Sequence, residues 1–377
     1  MLHSENQYTR LRWFLTIVGL FLYVMDIWTD VVLALKYFQE REFVWTGLTL
    51  MFVLAGLLLT QIFSYAWYRD DMAEKETISG MSKGGLAALH LLGIGIFTRY
   101  YHLLKQGFKV VWTKTNTVEE SEDVHHKLFC LATDLSMLKL FETFLESAPQ
   151  LLLQLYIVLG HAECSVLQYL SMVFSFLNIA WALVDYRRCL RRSLPHVSEM
   201  PSGTPTAVYL LYKLCTITSH ILSYALLLVL STYTTVGLTV VWLLGTTWTH
   251  LLQTNFCSSA GLEHLYRAII GVILTFTFFN VKGQDTRVAM IIYYSFCSII
   301  NVTAPLLVAF LKPELLQMET LLTVSCIICV CSVLGLVCLV LYYLHLHPRE
   351  NRREEDEVDG LKKETENMRR MRSFLQP

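Results

Sequence analysis

The chain has 377 residues, 54% of them hydrophobic, 12% aromatic and only 16% charged, with a formal net charge of -1. That composition and its positive mean hydropathy exclude an ordinary soluble domain and a basic nucleic-acid binder, and point to an integral membrane protein. Ten cysteines fall mostly inside apolar runs, where a thiol behaves as a small hydrophobe, so no disulfide framework is implied.

A helix needs about 20 apolar residues to cross about 30 Å of hydrocarbon. Stretches of that length predict spans near 13–38, 44–67, 130–159, 165–185, 207–231, 236–254, 288–311 and 319–346. The first is too long for a signal peptide, contains Asp26 and Asp30 and lacks a small-residue cleavage pattern, so it is expected to stay in the mature protein. Two further stretches, 86–104 and 261–281, are interrupted by Gly93, Gly95 and Arg99 in one and by Arg267 and Gly271 in the other. Both read as re-entrant segments that dip into the membrane and return. The third span carries Asp134, Lys139, Glu142 and Glu146; the fourth ends in Asp185, Arg187 and Arg188; the fifth holds Lys213. The last contains Cys326, Cys329, Cys331 and Cys338, but no companion ligands at the same depth support a metal site, and none is expected. Trp13, Trp45, Trp67 and Trp112 fall near segment ends, where interface anchoring accounts for them.

Basic residues set the orientation, because short loops rich in Lys and Arg stay cytoplasmic. With the amino terminus inside, the inner loops receive Arg10, Arg12, Arg69, Lys75, Lys83, Lys105, Lys109, Lys114, Arg187, Arg188, Arg191, Arg192, Lys282 and Arg287. The outer loops keep little beyond Lys36, Arg41 and Lys312. This holds only if the two interrupted segments do not fully cross, and it leaves both termini cytoplasmic. Two spans, a dipping segment and two more spans then occur twice, which predicts an all-α polytopic protein of two similar halves. The divisions are an N-terminal repeat over 1–190, a cytoplasmic linker over 191–206, a C-terminal repeat over 207–347 and a regulatory tail over 348–377.

Charged groups inside the spans carry the chemistry, since a carboxylate at mid-bilayer costs at least a few kcal/mol unless it has a partner, water or a proton. Asp26 and Asp30 project from one helix face, as do Lys139, Glu142 and Glu146, with Asp134 a turn and a half before Lys139. Arg99, Asp185, Arg188, Lys213 and Arg267 supply further members. Singly, any of these serves as a buried salt bridge that pins helix register. Together they are expected to form a polar ladder between leaflets, suited to a zwitterionic or anionic lipid headgroup.

The tail is polar and accessible to a protease. Asp356-Glu357-Val358-Asp359-Gly360 matches an executioner-caspase site: Asp359 beneath the scissile bond, Asp356 three residues upstream and a small residue after the cut. The bland alternative is a chance match within the acidic run 354–359. After Gly360, Leu361, Met368, Met371, Phe374 and Leu375 are spaced as one apolar stripe among basic residues, which predicts an amphipathic helix. It reads either as a plug docked against a cytoplasmic cavity or as a helix lying on anionic lipid.

The run Asp26-Ile27-Trp28-Thr29-Asp30, the run Glu146-Ser147-Ala148-Pro149-Gln150 and the cleavable tail together resemble the XK-related family, and within it the caspase-activated phospholipid scramblases, over essentially the whole length. The resemblance implies eight spans with two re-entrant helices, a tail that restrains activity until it is cut, and phosphatidylserine exposure at the plasma membrane of dying cells. The expected function is therefore lipid scrambling between leaflets. It needs no ATP or other cofactor, since no nucleotide signature occurs. No catalytic constellation is evident, so an enzyme is not expected. The expected partners are membrane phospholipids and an executioner caspase, with an accessory membrane subunit admitted. Two rivals remain: a secondary transporter or channel using the same carboxylates, and a scaffold for a lipid-transfer partner.

Overall fold

A computed structural model describes residues 8–73, 83–112, 118–161, 165–193, 203–281 and 287–346. Outside them lie Asp356, Asp359, Gly360 and the tail positions Leu361, Met368, Met371, Phe374 and Leu375, along with Lys75, Lys114 and Lys282 of the inner loops. The described residues form helices and no strand: α1 (Arg10–Gln39), α2 (Phe43–Ala73), α3 (Lys83–Leu91), α4 (Gly95–Trp112), α5 (Val118–Leu145), α6 (Ser147–His161), α7 (Val166–Ser193), α8 (Thr204–Leu230), α9 (Thr234–Leu251), α10 (Ala260–Phe276), α11 (Arg287–Leu311) and α12 (Met318–Leu341). Tyr342–Leu346 then continues α12 as a π-helical turn. Six of these elements, α1, α2, α7, α8, α11 and α12 with its π turn, are long and apolar enough to cross a bilayer. The chain is thus an all-α, multi-pass membrane protein.

The helices have apolar outer faces and an interior that holds polar and charged side chains beside an apolar core. Phe14, Phe21 and Trp28 of α1 and Phe296, Ile299 and Val302 of α11 are exposed, while Asp26, Glu142, Glu146, Ser223 and Asn301 are buried. This inverts the surface of a soluble protein, as lipid contact requires. In the middle stands α8, packed on α6, α7, α11 and α12. Its Ile217, Ile221 and Leu226 join one core with Phe141 and Phe144 of α5 and Ile269, Ile273 and Phe276 of α10. α1 packs on α7, and α8 on α12.

Three differences from the expected elements have local causes. The span expected over 130–159 is two helices, α5 beginning at Val118 and α6 beginning at Ser147, with an interruption at Glu146. Pro149 has no N–H to offer the Leu145 carbonyl, so the ladder breaks just ahead of it. The segment over 86–104 is a helical hairpin, α3 and α4, turning at Gly93, whose φ of +75° favours glycine. Gln61 of α2 braces that turn, donating to the Gly93 carbonyl at 3.1 Å and accepting from Gly95 N–H at 2.9 Å. Both helices flanking the stretch 191–206 run into it, since α7 continues to Ser193 and α8 starts at Thr204 with Pro205 in its first turn.

The ends of the bundle sort into two faces. On one, Tyr8 N–H donates to His125 Nδ1 at 3.1 Å, Trp13 Nε1 donates to the Leu104 carbonyl at 3.0 Å, and Ser258 of the α9–α10 loop donates to Asp70 at 2.8 Å. On the other, Tyr37 donates to Gln154 at 2.8 Å and Lys312 caps the Leu230 carbonyl at 3.2 Å. Trp67 departs from the anchoring role expected of it: it is 2% exposed and packs edge-on against Phe63 and Phe256.

Candidate functional site

α1 and α7 run antiparallel with a polar seam between them. Along it, Asp30 Oδ1 accepts from Ser171 at 2.8 Å, and Asp26 Oδ1 accepts from Ser175 at 2.8 Å. Asp26 Oδ2 accepts from Asn178 at 2.8 Å and from Ser147 of α6. Farther along, Gly19 meets Trp181, and a small crevice is lined by Thr16, Gly19, Tyr100, Trp181, Asp185 and Cys189. Ser171, Ser175, Asn178 and Asp185 recur at helical spacing, so one face of α7 supplies the whole seam.

α5 brings the remaining charges to the same place. Lys139 Nζ donates to Glu142 Oε2 at 2.8 Å and lies 3.9 Å from the centre of the Tyr23 ring, one turn before Asp26 on α1. Glu146 sits at the α5–α6 interruption, against α2 where Gly56 leaves room. A Cβ at position 56 would stand 2.9 Å from Glu146 Cβ and 2.9 Å from its Oε2. Asp26, Asp30, Glu142 and Glu146 are all within electrostatic reach of one another. Each is at most 1% exposed. No donor other than a neighbouring carboxyl reaches Asp30 Oδ2, Glu142 Oε1 or Glu146 Oε1. Asp26 is therefore fully satisfied, Asp30 holds spare acceptor capacity, and the Glu142 and Glu146 carboxyls hydrogen-bond to each other. Among the described residues no three His, Cys, Asp or Glu side chains converge as metal ligands would.

The other expected site residues gather elsewhere. Arg99 of α4 pairs with Asp134 at 3.5 Å, donates to the Ser64 hydroxyl and carbonyl at 3.0 and 3.1 Å, and stacks 4.0 Å over Tyr68. His90 of α3 reaches the same Ser64 hydroxyl at 3.0 Å, so this group ties the hairpin to α2 and α5. Asp185 and Arg188 interact near the charged end of the seam. Lys213 stands apart on α8, donating to Thr277 Oγ1 at 3.0 Å and the Phe278 carbonyl at 2.8 Å where α10 ends. Arg267 braces the α9–α10 loop through Glu263 at 3.4 Å and Thr254. The single ladder expected from the sequence is thus one acid cluster with Lys139, flanked by separate ion pairs. Ser171, Ser175, Asn178, Tyr23 and Gly56 belong to the site without having been singled out, as does Ser147, which the sequence offered only within the run 146–150. The polar stripe on α7 was the signal that reveals Ser171, Ser175 and Asn178.

The family described as XK-related protein matches residues 14–348 of the chain. XK-related protein 9 of Tetraodon nigroviridis is 61% identical, covering 99% of this chain and all of that relative. XK-related protein 8 of the same fish is 33% identical over 92% of this chain and 85% of its own length. XK-related protein 8 of Pan troglodytes is 34% identical over 92% and 87%.

Proposed function

We propose that this chain, which belongs to the XK-related family, is a phospholipid scramblase. It moves lipids, phosphatidylserine among them, down their gradients between the leaflets of the plasma membrane. The observation that carries the proposal is the buried cluster of Asp26, Asp30, Glu142 and Glu146 inside an apolar bundle, three of them with an oxygen that no donor outside the cluster reaches. A lipid's tails can stay in hydrocarbon while its headgroup crosses, so the protein must lower the desolvation cost of that group alone. Buried acid oxygens can take on the headgroup's ammonium and so meet part of that cost, and no energy source is needed. The cluster is sealed from the surface. Transport therefore requires α1 and α7 to part, and we assign control of that step to the tail over 348–377, released by a caspase cut after Asp359.

In this reading both termini are cytoplasmic. The face bearing Arg10, Arg12, Arg69, Arg187 and Arg191 is inside, and that bearing Lys36, Arg41 and Lys312 is outside. α5 with α6, and α9, complete eight spans. The α3–α4 hairpin and α10 dip and return, since α3 with nine residues covers only about 14 Å. Neutralising the half-satisfied acids tests the path. Asp30→Asn and Glu146→Gln are each expected to slow scrambling in reconstituted vesicles about tenfold, as the loss of about 1.4 kcal/mol of headgroup stabilisation would do. Unchanged rates would confine both residues to packing, and an ion current without lipid movement would favour a channel.

A further inference from the structure

Lys139 is the cation placed among the four carboxyls. Its ammonium makes two contacts: the Glu142 carboxylate at 2.8 Å and the face of the Tyr23 ring at 3.9 Å. A carboxylate beside an aromatic face is the pair of partners an alkylammonium ligand selects. Glu142 Oε1 and Glu146 Oε1, both on fully buried side chains, receive no donor besides each other's carboxyl, so the pocket offers more acid oxygens than this lysine uses. The ammonium also rides on a flexible four-carbon stem, and Asp185 of α7 lies within electrostatic reach of it as a second destination. Choline, ethanolamine and serine headgroups all carry an ammonium; glycerol headgroups do not.

We propose that Lys139 fills, between Tyr23 and Glu142, the place that a lipid headgroup's ammonium takes during transport, and is a tethered competitor that must swing away before such a lipid passes. The inference rests on the scramblase reading and names the headgroup class of the same site. Because the competitor is covalently attached, its local concentration far exceeds that of any one lipid headgroup reaching the seam. The resting protein thereby keeps Glu142 paired. Removing the competitor favours ammonium-bearing lipids selectively.

The test uses the full chain, caspase-cleaved, in vesicles carrying fluorescent phosphatidylcholine or fluorescent phosphatidylglycerol. If the cleaved wild type moves neither lipid, the scramblase reading falls before the inference is reached. With an active wild type, Lys139→Met is expected to raise the phosphatidylcholine-to-phosphatidylglycerol rate ratio about threefold or more. It should also make phosphatidylcholine movement sensitive to tetramethylammonium chloride, with sodium chloride as the control. A ratio that is unchanged or lower overturns the inference. Should Lys139→Met fail to give a monodisperse, cooperatively melting protein, Tyr23→Leu with Lys139 intact decides: a fallen ratio supports the ammonium site, and an unchanged ratio overturns it.

Discussion

Asp26 and Asp30 stand one turn apart on the same face of α1, yet their surroundings divide their roles. Asp26 accepts from Ser147, Ser175 and Asn178, while Asp30 accepts from Ser171 alone and leaves Oδ2 bare. Asp26→Ala orphans three buried donors, each worth about 1–3 kcal/mol when left unsatisfied, so a loss of several kcal/mol is expected. Asp30→Asn keeps an acceptor for Ser171 and is expected to cost less than about 1 kcal/mol while slowing transport. Thermal unfolding in detergent beside the vesicle assay separates the two, and equal destabilisation would refute the division. Gly56 offers a second residue-scale test. Any Cβ there meets the Glu146 side chain at 2.9 Å, whereas a Cβ at Gly47 on the same helix meets nothing within 4 Å. Gly56→Val is expected to destabilise by about 1–3 kcal/mol, and Gly47→Ala to be neutral or to stabilise by up to about 1 kcal/mol. Similar melting temperatures for both would show that the α2–α5 approach is not tight.

The long elements were legible because an apolar run of the right length has few other uses. The runs 13–38, 44–67, 207–231 and 288–311 reappear within a few residues as α1, the membrane part of α2, α8 and α11. Glu146 was legible as an intramembrane acid but not as a helix break, because hydropathy does not register the N–H that Pro149 lacks. The start of α5 at Val118 was likewise hidden, since its first turns are acidic and carry no apolar signal. Among the site residues, carboxylates and Lys139 announced themselves by their cost in lipid. Ser171, Ser175 and Asn178 did not: a serine in a membrane helix is cheap, and its importance depends on which helix it faces. The α3–α4 hairpin combines both cases. Its glycines marked a turn, but the brace lies on α2. Gln61→Met, close in volume, strips the Gly93 carbonyl and the Gly95 N–H of their partner. A cost of about 2–4 kcal/mol is expected from two bare backbone groups. A melting temperature unchanged by the substitution would mean that water or lipid headgroups already reach the turn.

At the scale of the whole molecule, a sealed acid cluster lies at the meeting of α1, α5, α6 and α7, and the apolar core continues from α5 into α8 and α10. The π-helical turn from Tyr342, where the chain leads toward the tail, packs against the end of α7: Arg187 stacks 4.9 Å from Tyr209 and 5.7 Å from Tyr342. The end of α12 and the seam helix α7 therefore share a contact, the route by which the proposed release of the tail would reach the α1–α7 interface. Asp359→Ala is expected to leave the protein folded and insensitive to caspase; normal activation of that variant would remove the tail from the account. The most direct measurement is lipid scrambling by the purified full chain, alone in vesicles of defined composition, before and after caspase treatment and without nucleotide. Slow exchange before cleavage and a rise of at least about tenfold after it are expected. Cleaved, monodisperse protein that leaves the leaflets no more mixed than protein-free vesicles would contradict the central claim.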